Sequence, residues 1–338
     1  MASAGAARPD ATCTADWKAS LQADAAAYAK QMPAARAAYF KRHKSAKARA
    51  AFVKAQSAKL AAFKSAAACT VGTIDSGPLP APQPSANEHF VFTDEVPQWA
   101  RHEIEGDVAY AVQDEQALFG VQLNEVTVFV SSDLGWLAQQ QCAFYGRGNT
   151  CVASTQASYA SGNVVGDGPR AIFVNWQSMD WTGRNWDATW IKQKIVGHEI
   201  CMVLSYQLDG LDGDVGPAWL LFGGSEMVGY RVASDRKMHA YADSLAQMRN
   251  TTKFTTAQLQ GALTWDGINQ IQNLGADHYF LAAAGDRLVA DSPNGIRSLA
   301  TYYSTIAAGR AWPDAFATAF GLSVDAFYAH FTTYRKTL

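Results

Sequence analysis

The sequence predicts an α+β protein built in two units, and three observations predict it. Charge is unevenly spread. Residues 1–75 hold twelve Lys/Arg against four Asp/Glu, while the rest hold sixteen against twenty-six, under a net charge of only −2. Just after the change of sign, Pro78, Pro80, Pro82 and Pro84 alternate. Beyond them, β-patterned runs come first and helical patterns follow. The expected division is a basic, Ala-rich α-helical hairpin over 1–75, a Pro-rich linker over 76–88, and a domain over 89–338. That domain holds a small mixed sheet in 89–185 and an all-helical part in 186–338.

The hairpin follows from composition. No Gly occurs between Thr14 and Val71, and Ala dominates, which favours helix. Trp17, Leu21, Tyr28 and Met32 mark the apolar stripe of a first helix that Pro33 should interrupt. Tyr39, Val53, Leu60 and Phe63 serve a second, longer one. The alternating prolines then forbid helix and ladder pairing and favour an extended, semi-rigid connector. In the larger unit, residues 89–94 and 125–131 read as strands with a helix from about Gln98 to Phe119 between them. A loop-rich stretch with short β segments is expected next, and residues 171–176 form another strand. From Trp186 the pattern is helical to the end, where Phe327, Phe331 and Tyr334 line the last apolar face.

With 49% apolar residues the chain can bury a large core. No run of eighteen apolar residues occurs, so no membrane span is expected. The near-neutral charge argues against a specific nucleic-acid binder held by overall charge. An anionic surface, such as a cell-wall polymer or a membrane, is the partner that suits the basic hairpin; a merely solvated Lys/Arg face is the plain alternative. Four of the five cysteines pair most simply as Cys13–Cys69 and Cys142–Cys151, which implies an oxidising compartment and a secreted protein; four free thiols in a cytosolic protein are the alternative. The first residues lack the apolar core of a signal peptide, so one is expected to have been removed. Cys201 is left over in an apolar helix, as a buried and inert thiol.

The chemistry concentrates between Ile195 and Ala233. His198 and Glu199 occupy the first two positions of an H-E-x-x-H helix, in which two His one turn apart hold zinc and Glu works on the metal-bound water. Met202 stands where the second His belongs. Trp219, Leu220, Leu221, Phe222, Gly223, Gly224, Ser225 and Glu226 follow a pattern close to W-L-x-E-G-x-A-E. Together these residues resemble the gluzincin branch of the zinc metallopeptidases, with its peptidase MA-like, thermolysin-like fold, over roughly residues 89–338. The resemblance implies a peptide-bond hydrolase scaffold, zinc in the parent family, and Glu199 as the ancestral general base. It also implies that the strand ending in Phe173 and Asn175 is the sheet edge that pairs with a peptide. A Tyr or His from the helical half would steady the oxyanion, and His278 and Tyr279 are the candidates.

The departures fall on the metal ligands. Only His198 retains a ligand position; Met202 offers a weak thioether and Phe222, at the third ligand position, offers nothing. Glu226, one turn beyond Phe222, would have to reach back. A zinc-poor site, weak or inactive in peptide hydrolysis, is therefore expected, because Glu199 then has no activated water. Met202, Cys201, Ser205, Phe222, Glu226 and Trp176 would line the vacated pocket, with Trp181, Trp186 and Trp190 as an aromatic wall. Its use stays open. The chain is a pseudoenzyme or a redesigned scaffold, or a binder of a peptide or apolar small molecule. A soft metal or haem at His198 and Met202, or His198 acting in a metal-free pocket, are the remaining enzymatic options. No other cofactor is called for.

Overall fold

The computed structural model describes residues 12–13, helical positions between 26 and 41, 44–66, 70–71, 79, 81–160, 165–168, 170–177, 189–210, 216–249, 251, 254–272 and 277–336. The chain divides into Met1–Gly77 and Pro78–Leu338.

In the first unit every described residue from Ala26 to Lys41 is helical, Pro33 included, and helix α1 spans Ala46–Ala66. Arg36 Nε donates to Gln56 Oε1 at 2.8 Å, and Arg49 Nη2 to the Phe40 carbonyl at 3.0 Å, tying α1 to the helical residues before it. Two short strands, β1 (Thr12–Cys13) and β2 (Thr70–Val71), pair in parallel. Cys69, expected to bond Cys13, lies outside the described residues.

The second unit opens with an extended stretch that is docked rather than loose. Leu79 N–H donates to the Arg236 carbonyl at 2.9 Å and Arg236 Nε to the Leu79 carbonyl at 3.3 Å. A sheet of order β3-β4-β6-β5 follows, made of β3 (Glu88–Phe92), β4 (Val126–Ser131), β5 (Val165–Gly168) and β6 (Ala171–Asn175). The first three in that order are parallel and β5 is antiparallel. Alternation along the strands sorts their side chains between two layers. Val126, Val128, Val130, Ile172 and Val174 join the main core under helix α2 (Gln98–Phe119). Phe129 and Phe173, stacked at 5.0 Å, join a second cluster on the other face.

Two expectations are corrected. The strand carrying Phe173 and Asn175 is interior to the sheet, because β5 pairs along its free side and takes the edge itself. The stretch after β4 is largely helical, with α3 (Leu134–Phe144) and α4 (Val152–Ala160). Asp133 starts α3 by accepting the Gly135 and Trp136 amides at 2.9 and 3.1 Å, a cap the glycine-rich loop had masked. Cys142 and Cys151 form a disulfide across that loop, their Cα atoms 6.0 Å apart.

The remainder is helical: α5 (Thr189–Asp209), α6 (Ala218–Asp235), α7 (Tyr241–Arg249), α8 (Thr256–Gly261), α9 (Trp265–Gln272), α10 (Asp277–Asp291), α11 (Arg297–Ala307), α12 (Trp312–Phe320) and α13 (Val324–Arg335). Trp219 is fully buried, stacks on Phe327, and donates its indole N–H to the Tyr328 hydroxyl at 2.9 Å. That anchor holds the start of α6 against the last helix. Among the described residues no helix is long and apolar enough to cross a membrane.

Candidate functional site

Three helices meet at His198, and glycines let them meet closely. A Cβ on Gly229 of α6 would stand 2.3 Å from the Lys194 carbonyl oxygen and 3.1 Å from the His198 nitrogen of α5. One on Gly223 would stand 2.4 Å from the Leu281 carbonyl oxygen of α10. Both positions therefore exclude a side chain, and backbones pack directly against each other. Side chains one turn from these contacts are forced together.

At the convergence sits Glu226, 2% exposed. Lys194, one turn before His198 on α5, forms an ion pair with its Oε2. His278 Nδ1 lies 2.8 Å from Oε1, and His198 Nδ1 faces the same oxygen at 3.3 Å. Burial opposes ionisation of Glu226, but the Lys194 ammonium, aided by His278 and His198, holds its pKa well below the usual carboxylate range. An ionised carboxylate only accepts hydrogen bonds, so the His278 Nδ1 facing it carries a proton. Burial pushes the His198 pKa down to about 3, against the pull of Glu226, so its imidazole is neutral.

Phe222 closes one side. Its ring meets His198 edge-on at 4.9 Å and lies 5.4 Å from His278 and 6.1 Å from Trp265. Trp265 is 43% exposed and the His278 side chain 47%, so the cluster has a surface rim of Trp265 and His278 above a buried Lys–Glu–His base.

The residues singled out in the sequence divide accordingly. His198, Phe222, Glu226 and His278 are brought together. Tyr279, next to His278, stacks instead on Tyr230 at 5.5 Å, and Tyr230 lies beneath the Lys194 ammonium at 5.2 Å. Glu199 is half-buried. Met202 is buried in the main core. Cys201 and Ser205 belong to a second buried polar group with Glu115, Ser225 and Tyr303, where burial, then Glu115, pushes the Cys201 thiol well up. Trp176 packs edge-on against Trp99 at 6.0 Å, whereas Trp190 stacks on His239 at 3.9 Å; Trp181 and Trp186 lie outside the described residues. Lys194 is the residue sequence reasoning missed. Its only signal was the spacing of four residues before His198, which places both on one helix face.

The donors present do not suit zinc. Glu226 is committed to an ammonium, His198 presents one nitrogen to Glu226, and Phe222 has no donor atom. Among the described residues no group of three or more His, Cys, Asp or Glu is placed to hold a metal ion. No family model, curated protein or solved structure matches this chain.

Proposed function

We propose that this chain is an exported, gluzincin-like metallopeptidase domain whose zinc site has been replaced by a self-neutralising Lys–Glu–His cluster. It is accordingly zinc-poor and weak or inactive in peptide hydrolysis. The observation that carries this reading is the Lys194–Glu226 ion pair beside His198. An ammonium supplies the positive charge that a metal would bring, and a dication entering next to it would meet repulsion at low dielectric. With no metal to activate water, Glu199 has no hydroxide to deliver. The antiparallel edge strand β5 packs beside α5, as a peptide-pairing edge would. The Cys142–Cys151 disulfide supports an oxidising, extracellular setting.

A second reading keeps the same place but makes it a binding site for a peptide or apolar ligand. The exposed Trp265 ring packed edge-on against Phe222 favours it. An anionic surface remains the partner proposed for the basic first unit, whose α1 carries Lys47, Arg49, Lys54, Lys59 and Lys64.

The deciding experiment compares metal content and peptidase activity of the chain with a Lys194→Met, Met202→His, Phe222→Glu variant. The chain itself should carry well under one zinc per molecule and cleave little. The variant should take up near-stoichiometric zinc and gain activity, while Met202→His, Phe222→Glu alone should bind zinc more weakly because Lys194 still competes. Tightly bound zinc in the unaltered chain would sink the proposal. Ligand-induced thermal shift without turnover would favour the binding reading.

A further inference from the structure

Helix α11 lines a surface groove that the Glu226 cluster does not touch. The cavity measures about 810 Å³, ample for a short peptide. Arg297, Thr301, Ser304, Thr305 and Arg310 border it, with Phe119 on its floor, and no carboxylate lines it. Arg297 opens α11 and Ala308 follows its end, so the groove runs roughly 16 Å at 1.5 Å per residue. Arg310 lies just past that end. The lining thus holds two guanidinium groups, and neither has a hydrogen bond or ion pair among the described residues.

Between the two cations the lining offers acceptors. Thr301 Oγ1 donates to the Arg297 carbonyl at 3.2 Å and Thr305 Oγ1 to the Thr301 carbonyl at 2.6 Å. With their protons used within the helix, both hydroxyls present lone pairs to the groove. Arg297 also has a built berth. Its guanidinium lies over Gly120, where a Cβ would come within 3.5 Å of Cζ and Nε. Gly120 ends α2 in the left-handed conformation, at φ 72°.

The pattern reads cation, acceptor, acceptor, cation. Its complement is oxyanion, N–H, N–H, oxyanion, which is an extended peptide with acidic groups at both ends. At about 3.4 Å per residue, five residues place their end side chains roughly 14 Å apart, which the two long Arg side chains can span. A compact inorganic anion is much shorter than that span. We propose that the α11 groove binds a short, extended peptide carrying a carboxylate at each end. None of its residues belongs to the Glu226 cluster, so it stands or falls apart from the metallopeptidase-like reading.

The test uses the full chain and a fluorescein-labelled pentapeptide, Asp-Gly-Ser-Gly-Asp, followed by anisotropy. The acidic peptide should bind about a hundredfold more tightly than its Asn-ended counterpart, since each of its two charge-assisted pairs contributes about one factor of ten. Arg297→Gln and Arg310→Gln should each weaken binding about tenfold and leave the melting temperature unchanged, because both side chains are exposed and unpaired. Equal binding of the Asn-ended peptide, no binding at millimolar peptide, or wild-type affinity in both variants overturns the proposal. So does displacement by inorganic phosphate at matched concentration, which would mark a single-anion site.

Discussion

Replacing Lys194 with Met tests whether its ammonium is what keeps Glu226 ionised. The Lys194 side chain is 10% exposed and that of Glu226 3%, so the pair is buried, and Met keeps most of the aliphatic volume. Removing one partner of such a pair costs about 3–5 kcal/mol if nothing else responds. Two escapes limit the loss. Glu226 can take a proton, which at pH 7 costs about 3.4 kcal/mol from an ordinary pKa of 4.5, at about 1.36 kcal/mol per unit. Alternatively the carboxylate can keep its charge against the His278 N–H, 2.8 Å from Oε1, a charge-assisted hydrogen bond that contributes about 1.5–3 kcal/mol. The second route offsets much of that cost, so Lys194→Met alone should lose only about 1–2 kcal/mol at pH 7. In a His278→Gln background that route is closed, and Lys194→Met should lose about 3 kcal/mol. For the 261 residues of Pro78–Leu338, at about 2.1 cal/mol/K per residue, this is roughly a 6 °C fall in melting temperature. Adding Glu226→Gln should return most of it. Urea melts followed by tryptophan fluorescence measure all of these variants. A loss below about 1 kcal/mol in the His278→Gln background would refute the account of Glu226 as a carboxylate held by Lys194.

Two titrations extend the same logic. His198 has a folded pKa near 3 against 6.5 ordinarily, so the unfolded chain binds the extra proton and stability falls as pH drops through that window. Between pH 7 and 5 this amounts to about 2 kcal/mol. The loss should vanish in His198→Phe, and parallel pH profiles for the two chains would count against it. Asp114 is shifted the other way, up to about 7, first by burial and then by Asp235. The folded state holds that proton more tightly, so its contribution is lost as pH rises from about 3.8 to 7. Asp114→Asn should therefore gain about 1–2 kcal/mol at pH 8, reduced by partial exposure, and nothing at pH 4; an equal gain at both values would exclude the carboxylate as its source.

Much of the architecture was legible because it is written in period and punctuation. Runs of aromatic and β-branched residues marked β3, β4 and β6, and the helix expected over Gln98–Phe119 has those same bounds. Strand order was not legible. Nothing within residues 171–176 records that Val165–Gly168 returns antiparallel along the strand's free side, since that is decided by tertiary pairing. Helices α3 and α4 were hidden by Gly135, Gly146 and Gly148, which read as loop although Asp133 is a sound N-cap.

The site divides along the same line. His198, Phe222 and Glu226 were visible because a degenerate pattern keeps its spacing when its chemistry is lost. His278 could be placed only by region, since 52 residues separate it from Glu226. Lys194 could not be recognised because a lysine in an amphipathic helix ordinarily reads as a solvated charge. What made it functional was burial, and burial came from Gly229, which brings the α5 and α6 backbones too close for water to intervene. The physical order of events in this site therefore runs from backbone to charge. Close packing desolvates Glu226. Desolvation demands a cation, and Lys194 supplies it from the neighbouring turn. That leaves the His198 imidazole neutral, and a metal without a vacancy of charge to fill.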